Sequence, residues 1–123
     1  MEHLPFTGRV QSFRYALTGI WTMLRREKNA QIHALATVAV IVLGLYLGLS
    51  ATEWCWIVVA TVSVWTAEAL NTAIEFLCDV ASPEFHPLVQ QTKDVAAGAV
   101  LITALGAVLI GVFVLGPRLI ALF

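Results

Sequence analysis

Two windows of this 123-residue chain, residues 30–49 and 95–115, contain no Asp, Glu, Lys or Arg, and a third, residues 54–80, is apolar over its first half. Each has at least the roughly 20 residues that an α-helix needs to cross the hydrocarbon core of a bilayer. A chain with three such stretches has little freedom of fold, because inside lipid every backbone N–H and C=O must be satisfied within the protein. Composition agrees: 59% of the residues are hydrophobic, 12% are charged, and the mean hydropathy is +0.85. Soluble domains are about half apolar and about a quarter charged. We therefore expect an all-α integral membrane protein with spanning helices over 30–49, 54–80 and 94–116, in a single domain over residues 1–123.

Ahead of the first span, apolar residues recur at Val10, Phe13, Leu17, Ile20, Trp21 and Leu24, leaving Arg14, Thr18, Thr22 and Arg25 off that stripe. This helical spacing predicts an amphipathic surface helix over 9–27, lying on the membrane. Between the first two spans the turn near residues 50–53 is short, so they run antiparallel. Gly44 and Gly48 form a GxxxG pair, which reads as close helix packing. Gly116 and Pro117 are expected to stop the last helix.

The charge pattern excludes some functions and orients the chain. Net charge is −1, so there is no basic field for nucleic acid. Five of the seven cations, Arg9, Arg14, Arg25, Arg26 and Lys28, precede the first span and none lies in the turn after it. The positive-inside rule then puts the N-terminus and the loop in the 80s in the cytoplasm. No charged start followed by an apolar core and a small-residue cleavage site opens the chain, so no cleavable leader is expected. Cys55 and Cys78 lie roughly 35 Å apart along one helix at 1.5 Å per residue, which excludes a disulfide between them. Both read as apolar filler, and His3 and His33 do not stand out from background.

Chemistry concentrates in the second span. Glu68, Asn71, Glu75 and Asp79 fall within an arc of about 80° on one helix. A carboxylate in the bilayer costs about 2.5–3.5 kcal/mol on insertion scales, so a stripe of three calls for a metal, a cation or a watery cavity. A polar seam for helix association is the alternative, although a single Asn or Gln would serve that purpose at lower cost. Carboxylate oxygens suit Mg²⁺, which takes one or two of them together with substrate phosphates. Glu27, at the junction of surface helix and first span, lies on the same side as the inner end of the stripe; beside Arg25, Arg26 and Lys28 it also reads as an ordinary solvated charge. Lys93 and Asp94 open the third span as we delimit it. Lys93 suits phosphate or snorkels to the interface, and Asp94 is catalytic or complements the helix dipole. His86 is a loop histidine able to donate to a phosphate oxygen. Neither a P-loop nor a protein-kinase glycine loop is present, so a nucleotide would be held in another way.

The run Glu68-Ala-Leu-Asn71-Thr-Ala-Ile-Glu75, the following Asp79, then Phe85-His86-Pro87-Leu88 and Lys93-Asp94-Val-Ala-Ala-Gly98-Ala-Val-Leu101, resembles the signature of bacterial diacylglycerol kinases and their undecaprenol-kinase branch. The resemblance covers essentially the whole chain. It implies an ATP- and Mg²⁺-dependent kinase of the bacterial inner membrane that phosphorylates a membrane lipid alcohol at the cytoplasmic face. It also implies a homotrimer with active sites between neighbouring chains. By the same resemblance Glu68 is the general base at the lipid hydroxyl, and Glu27 and Glu75 hold the metal. Asn71, Lys93 and Asp94 position the reactants, while Tyr15, Glu84 and His86, together with Lys93 and Asp94, belong to the nucleotide pocket. One departure from the pattern is Gln31, where an arginine is expected. The segments 85–88 and 93–101 look more like the polyprenol branch, which tilts the expected substrate toward undecaprenol. Two rivals stay open on the residues alone: a small proton-coupled multidrug transporter subunit, for which four spans rather than three are typical, and a structural membrane adaptor, for which the acidic stripe is an unexplained cost.

Overall fold

The structure, a computed structural model, describes residues 7–123; the readings of His3 and of the extreme N-terminus fall on residues 1–6, outside them. The described residues form four helices, α1 (Thr7–Arg26), α2 (Lys28–Leu47), α3 (Ala51–Ala81) and α4 (Pro87–Ile120). Three of them, α2, α3 and α4, are long and apolar enough to cross a membrane. The protein is therefore an all-α membrane protein, with the amphipathic α1 preceding three spans.

A single extended residue separates α1 from α2. Glu27 has φ −101° and ψ 119°, its N–H closes the last turn of α1 on the Met23 carbonyl at 2.9 Å, and its C=O accepts from Gln31 N–H at 3.2 Å to begin α2. The Gln31 side chain donates to the Leu24 carbonyl at 3.1 Å, satisfying one of the carbonyls that the end of α1 leaves free. Met23 and Ala30 are buried on either side of this elbow, which fixes the direction in which Glu27 projects.

The α2–α3 turn rests on two local devices. Gly48 closes α2 in the left-handed region at φ 67°, where a Cβ is disfavoured. Ser50 and Glu53 then form a reciprocal capping box that starts α3 at Ala51, ahead of the expected residue 54. The GxxxG reading thus holds for one glycine of the pair. A Cβ on Gly44 would meet the Trp54 ring at 2.6 Å, whereas one on Gly48 would meet nothing, so Gly48 serves the turn.

The third span differs most from expectation. It begins at Pro87, before the expected residue 94, because His86 caps it: the ring Nδ1 accepts from Leu88 N–H at 3.1 Å, and Pro87 supplies a preset φ at the first helical position. Lys93 and Asp94 are consequently almost two turns inside α4, and Asp94 is not a cap. Nor do Gly116 and Pro117 end the helix, which runs on to Ile120. Arg118 explains the extension. Its guanidinium pairs with the Glu53 carboxylate and reaches the Leu47 and Gly48 carbonyls at 3.5 and 3.4 Å, tying the last turn of α4 to the α2–α3 turn.

Helix α3 is the central element: a third of its most apolar window is buried, against 11% in α2 and in α4. Leu49, Ile57 and Leu115 form a core at the Arg118 end, backed by Leu43, Trp54 and Leu119. Many large apolar side chains elsewhere on all four helices face outward, as expected where lipid replaces water.

Candidate active site

The Glu68–Asn71 part of the polar stripe of α3 faces inward, whereas its last member, Asp79, is exposed. Glu68 is fully buried, and Asn71 and Thr72 are 6% and 4% exposed, although all three lie on a helix of membrane-spanning length. The Asn71 amide donates to Glu75 Oε1 at 3.4 Å, and the Thr72 hydroxyl donates to the Glu68 carbonyl at 2.9 Å. Among the described residues neither Glu68 carboxylate oxygen has a hydrogen-bond partner, and neither does Asn71 Oδ1. Buried polar atoms are normally satisfied, so three orphaned acceptors on adjacent turns of one helix describe a site built to receive a donor or a cation.

Glu27 approaches this stripe from the elbow. Burial, and next the nearby Glu75 carboxylate, raise its pKa above the ordinary carboxylate value, with Arg26 acting in the opposite sense. The charges of Glu27, Glu75 and His33 all act on Glu68 as well. The one-residue break between α1 and α2 and the one-face spacing on α3 therefore place Glu27 near enough to Glu68 and Glu75 for their charges to interact, with Asn71 bonded to Glu75, as one acidic cluster. Among the described residues no three His, Cys, Asp or Glu side chains form a ready-made metal cage. Two mutually repelling carboxylates, Glu27 and Glu75, instead suit a hard divalent cation whose other ligands are phosphate and water.

One turn beyond Glu75, Lys93 Nζ donates to Asp79 Oδ1 at 2.9 Å, bridging α4 to α3. Asp79, the last member of the stripe, thus holds the lysine at the edge of the pocket. Arg26 sits 5.7 Å from the centre of the Phe76 ring, tying α1 to the same end of α3. Four of the expected residues are not gathered into the cluster within this chain. Asp94 is exposed and accepts from Gln90 Nε2 on its own helix at 2.9 Å. Glu84 lies exposed in the α3–α4 loop, and its backbone carbonyl accepts from Ser82 Oγ. His86 is exposed and caps α4. Tyr15 is exposed on α1, accepting from Gln11 Nε2 at 3.1 Å, and lines a shallow groove shared with Thr72 and Phe76.

The sequence reading passed over His33. It lies on α2, in the apolar run without charged residues, with Nε2 3.6 Å from Glu68 Oε2. The available signal was its position: an ionisable residue within a span is a candidate functional group wherever it occurs. Equally unforeseen is the Trp65–Thr37 bond, in which the indole Nε1 donates to Thr37 Oγ1 at 3.0 Å. A larger groove runs between α3 and α4 beside the stripe, lined by Val62, Leu70, Asn71, Val95 and Ala96 and open to the lipid side. It leads apolar surface up to a polar edge at Asn71.

The sequence that carries this acidic cluster also matches known proteins. The family model for prokaryotic diacylglycerol kinase matches residues 14–115. The chain belongs to that family. It is a multi-pass membrane lipid kinase, and the transporter and adaptor readings fall. Among its relatives, an undecaprenol kinase of Bacillus subtilis is 40% identical over 109 residues, 89% of each chain. A diacylglycerol kinase of Synechocystis is 38% identical over 112 residues, covering 90% of this chain and 64% of the relative. The Escherichia coli K12 diacylglycerol kinase is 27% identical over 104 residues, 85% of each. The matched region takes in Glu27, the whole acidic stripe, Lys93 and Arg26, so every member of the pocket lies inside the shared part of the chain.

Proposed function

We propose that this kinase transfers the γ-phosphoryl group of ATP to the primary hydroxyl of a membrane lipid, undecaprenol in preference to diacylglycerol, at the cytoplasmic face of a bacterial inner membrane. The observation that carries the reading is Glu68: a carboxylate with both oxygens unpartnered, buried at membrane depth on the same face as Asn71 and Glu75. In the reaction the lipid hydroxyl loses its proton to Glu68 and its oxygen bonds to the γ-phosphorus. The bond from that phosphorus to the β–γ bridging oxygen breaks, and ADP departs with the electron pair. Glu27 and Glu75 would hold Mg²⁺, which when bound neutralises charge on the phosphates. Asn71 orients Glu75 through their hydrogen bond, and Lys93, released from Asp79, meets the phosphates. Because Nδ1 of His86 accepts the capping bond, its proton in the neutral ring resides on Nε2, which is left to donate to the nucleotide. Tyr15, Glu84 and Asp94 contribute to the same nucleotide pocket.

Residues 1–123 act as one lipid-kinase domain, assembled as a homotrimer whose sites lie between chains. The outward position of Tyr15, Glu84, His86 and Asp94 in one protomer supports this assembly. Four cations before α2, and Lys28 at its first position, support the cytoplasmic placement, since the one cation at the opposite end, Arg118, is paired with Glu53. The undecaprenol preference is supported by the Bacillus subtilis relative and by the segments 85–88 and 93–101. The test is to give purified enzyme Mg-ATP and equal mole fractions of undecaprenol and diacylglycerol in mixed micelles. Faster initial phosphorylation of undecaprenol is expected. A rate on diacylglycerol more than about tenfold higher, about 1.4 kcal/mol in transition-state binding, overturns the preference. Absence of Mg-ATP-dependent transfer to either lipid overturns the reading itself.

A further inference from the structure

We propose that His33 is a positioning residue for the Glu68 carboxylate, holding one of its oxygens so that the other is presented to the lipid hydroxyl; this rests on the reading of Glu68 as the general base. Among the described residues, His33 is the one cation-capable side chain within ion-pair distance of Glu68, at 3.6 Å from Nε2 to Oε2. The imidazole is itself largely enclosed, its side chain 19% exposed against 1% for Glu68. A carboxylate with no other partner at this depth rotates freely about its last torsion, and a base that must take a proton at a defined point needs that freedom removed. The distance is longer than a hydrogen bond, as is common for catalytic contacts before reactants arrive and exclude water.

A second bond holds the two helices in the alignment that this pairing needs. Thr37, one turn after His33 on α2, donates to the His33 carbonyl at 2.7 Å and accepts the indole N–H of Trp65 at 3.0 Å. Trp65 lies one turn before Glu68 on the antiparallel α3. Thr37–Trp65 and His33–Glu68 are therefore consecutive rungs between the same two helices, the first tying backbone to ring and so setting the height of the second. The other groups whose charge acts on Glu68 are Glu27 at the elbow and Glu75 on its own helix, both acidic and unable to donate to an ionised carboxylate. From α4 the nearest cation on the stripe, Lys93, is engaged by Asp79. His33 is left as the donor.

The test uses the full-length enzyme in mixed micelles, comparing wild type, His33→Leu, His33→Gln, Glu68→Gln and the His33→Leu/Glu68→Gln double variant. His33→Leu is expected to lower kcat by about 100-fold, the scale of a misplaced catalytic group, with KM for Mg-ATP and for lipid within about twofold. His33→Gln places an N–H near the position of Nε2 and recovers at least about tenfold of the kcat lost. The double variant is no slower than Glu68→Gln, because positioning has no value once the base is gone. A His33→Leu enzyme with near wild-type kcat, while Glu68→Gln is strongly slowed, overturns the role of His33 and leaves the base in place. Loss in His33→Leu that Gln does not recover, or a double variant slower than Glu68→Gln, also overturns it, since a purely structural histidine behaves in that way. Near wild-type turnover by Glu68→Gln overturns the underlying reading of the base instead.

Discussion

At the scale of single residues, the pocket is defined by atoms that lack partners. Glu68 and Asn71 present unsatisfied oxygens, and Glu27 carries its charge against that of Glu75. If those two acids bind the metal, Glu27→Gln and Glu75→Gln each remove charge while keeping volume. Each should cut turnover by at least about 100-fold, or about 2.7 kcal/mol, at saturating Mg²⁺ with helix content unchanged in circular dichroism. The Lys93–Asp79 pair invites a different expectation. Asp79 is 66% exposed at its side chain, and an ion pair so open to solvent contributes little to stability. Asp79→Asn should therefore leave the denaturation midpoint nearly unchanged, whereas Lys93→Ala should raise KM for Mg-ATP by about tenfold or more in steady-state kinetics. The acidic stripe was legible in the sequence as a candidate site because a carboxylate within an apolar span is costly wherever it sits. The partner of Glu68 was not legible, because which residue of α2 faces position 68 depends on how far one helix is slid along the other.

At the scale of elements, the helix ends around the two loops departed from expectation through local capping devices. His86 starts α4 early, Ser50 and Glu53 start α3 early, and Gly48 ends α2. Arg118 holds the far end of α4 against the α2–α3 turn by an ion pair and two carbonyl contacts. Arg118→Gln removes the charge and most of these bonds from a partly exposed site. A modestly lower midpoint in thermal unfolding of the detergent-solubilised protein is expected. Catalysis should survive, since the clamp lies at the end of the bundle opposite Glu27. Apolar periodicity identified the helices but gave no account of their ends, which are set by hydrogen bonds that periodicity does not record.

At the scale of the whole molecule, the chain leaves most of its large apolar side chains and several nucleotide-pocket candidates facing outward. In a trimer whose sites combine the acidic cluster of one chain with outward residues of the next, inactive Glu68→Gln protomers co-assembled with inactive Asp94→Asn protomers should regain a measurable fraction of wild-type activity. Tagged pulldown followed by lipid phosphorylation measures this, and co-assembled but inactive mixtures would place the two acids of each site in one chain. The sequence by itself determined the number of spans, the amphipathic helix before them and the face that carries the acids. Each follows from transfer free energy and helical period, which act residue by residue and need no partner element. Only the tertiary structure decided that Glu27 turns back toward Glu75, that His33 meets Glu68 and that Arg118 closes the far end. Those contacts depend on a one-residue break at Glu27, on the rung between Thr37 and Trp65 and on the reach of α4 to Ile120. Each is a relation between helices, and the relative rotation and height of packed helices are set by side-chain fit across an interface that no one segment of sequence contains.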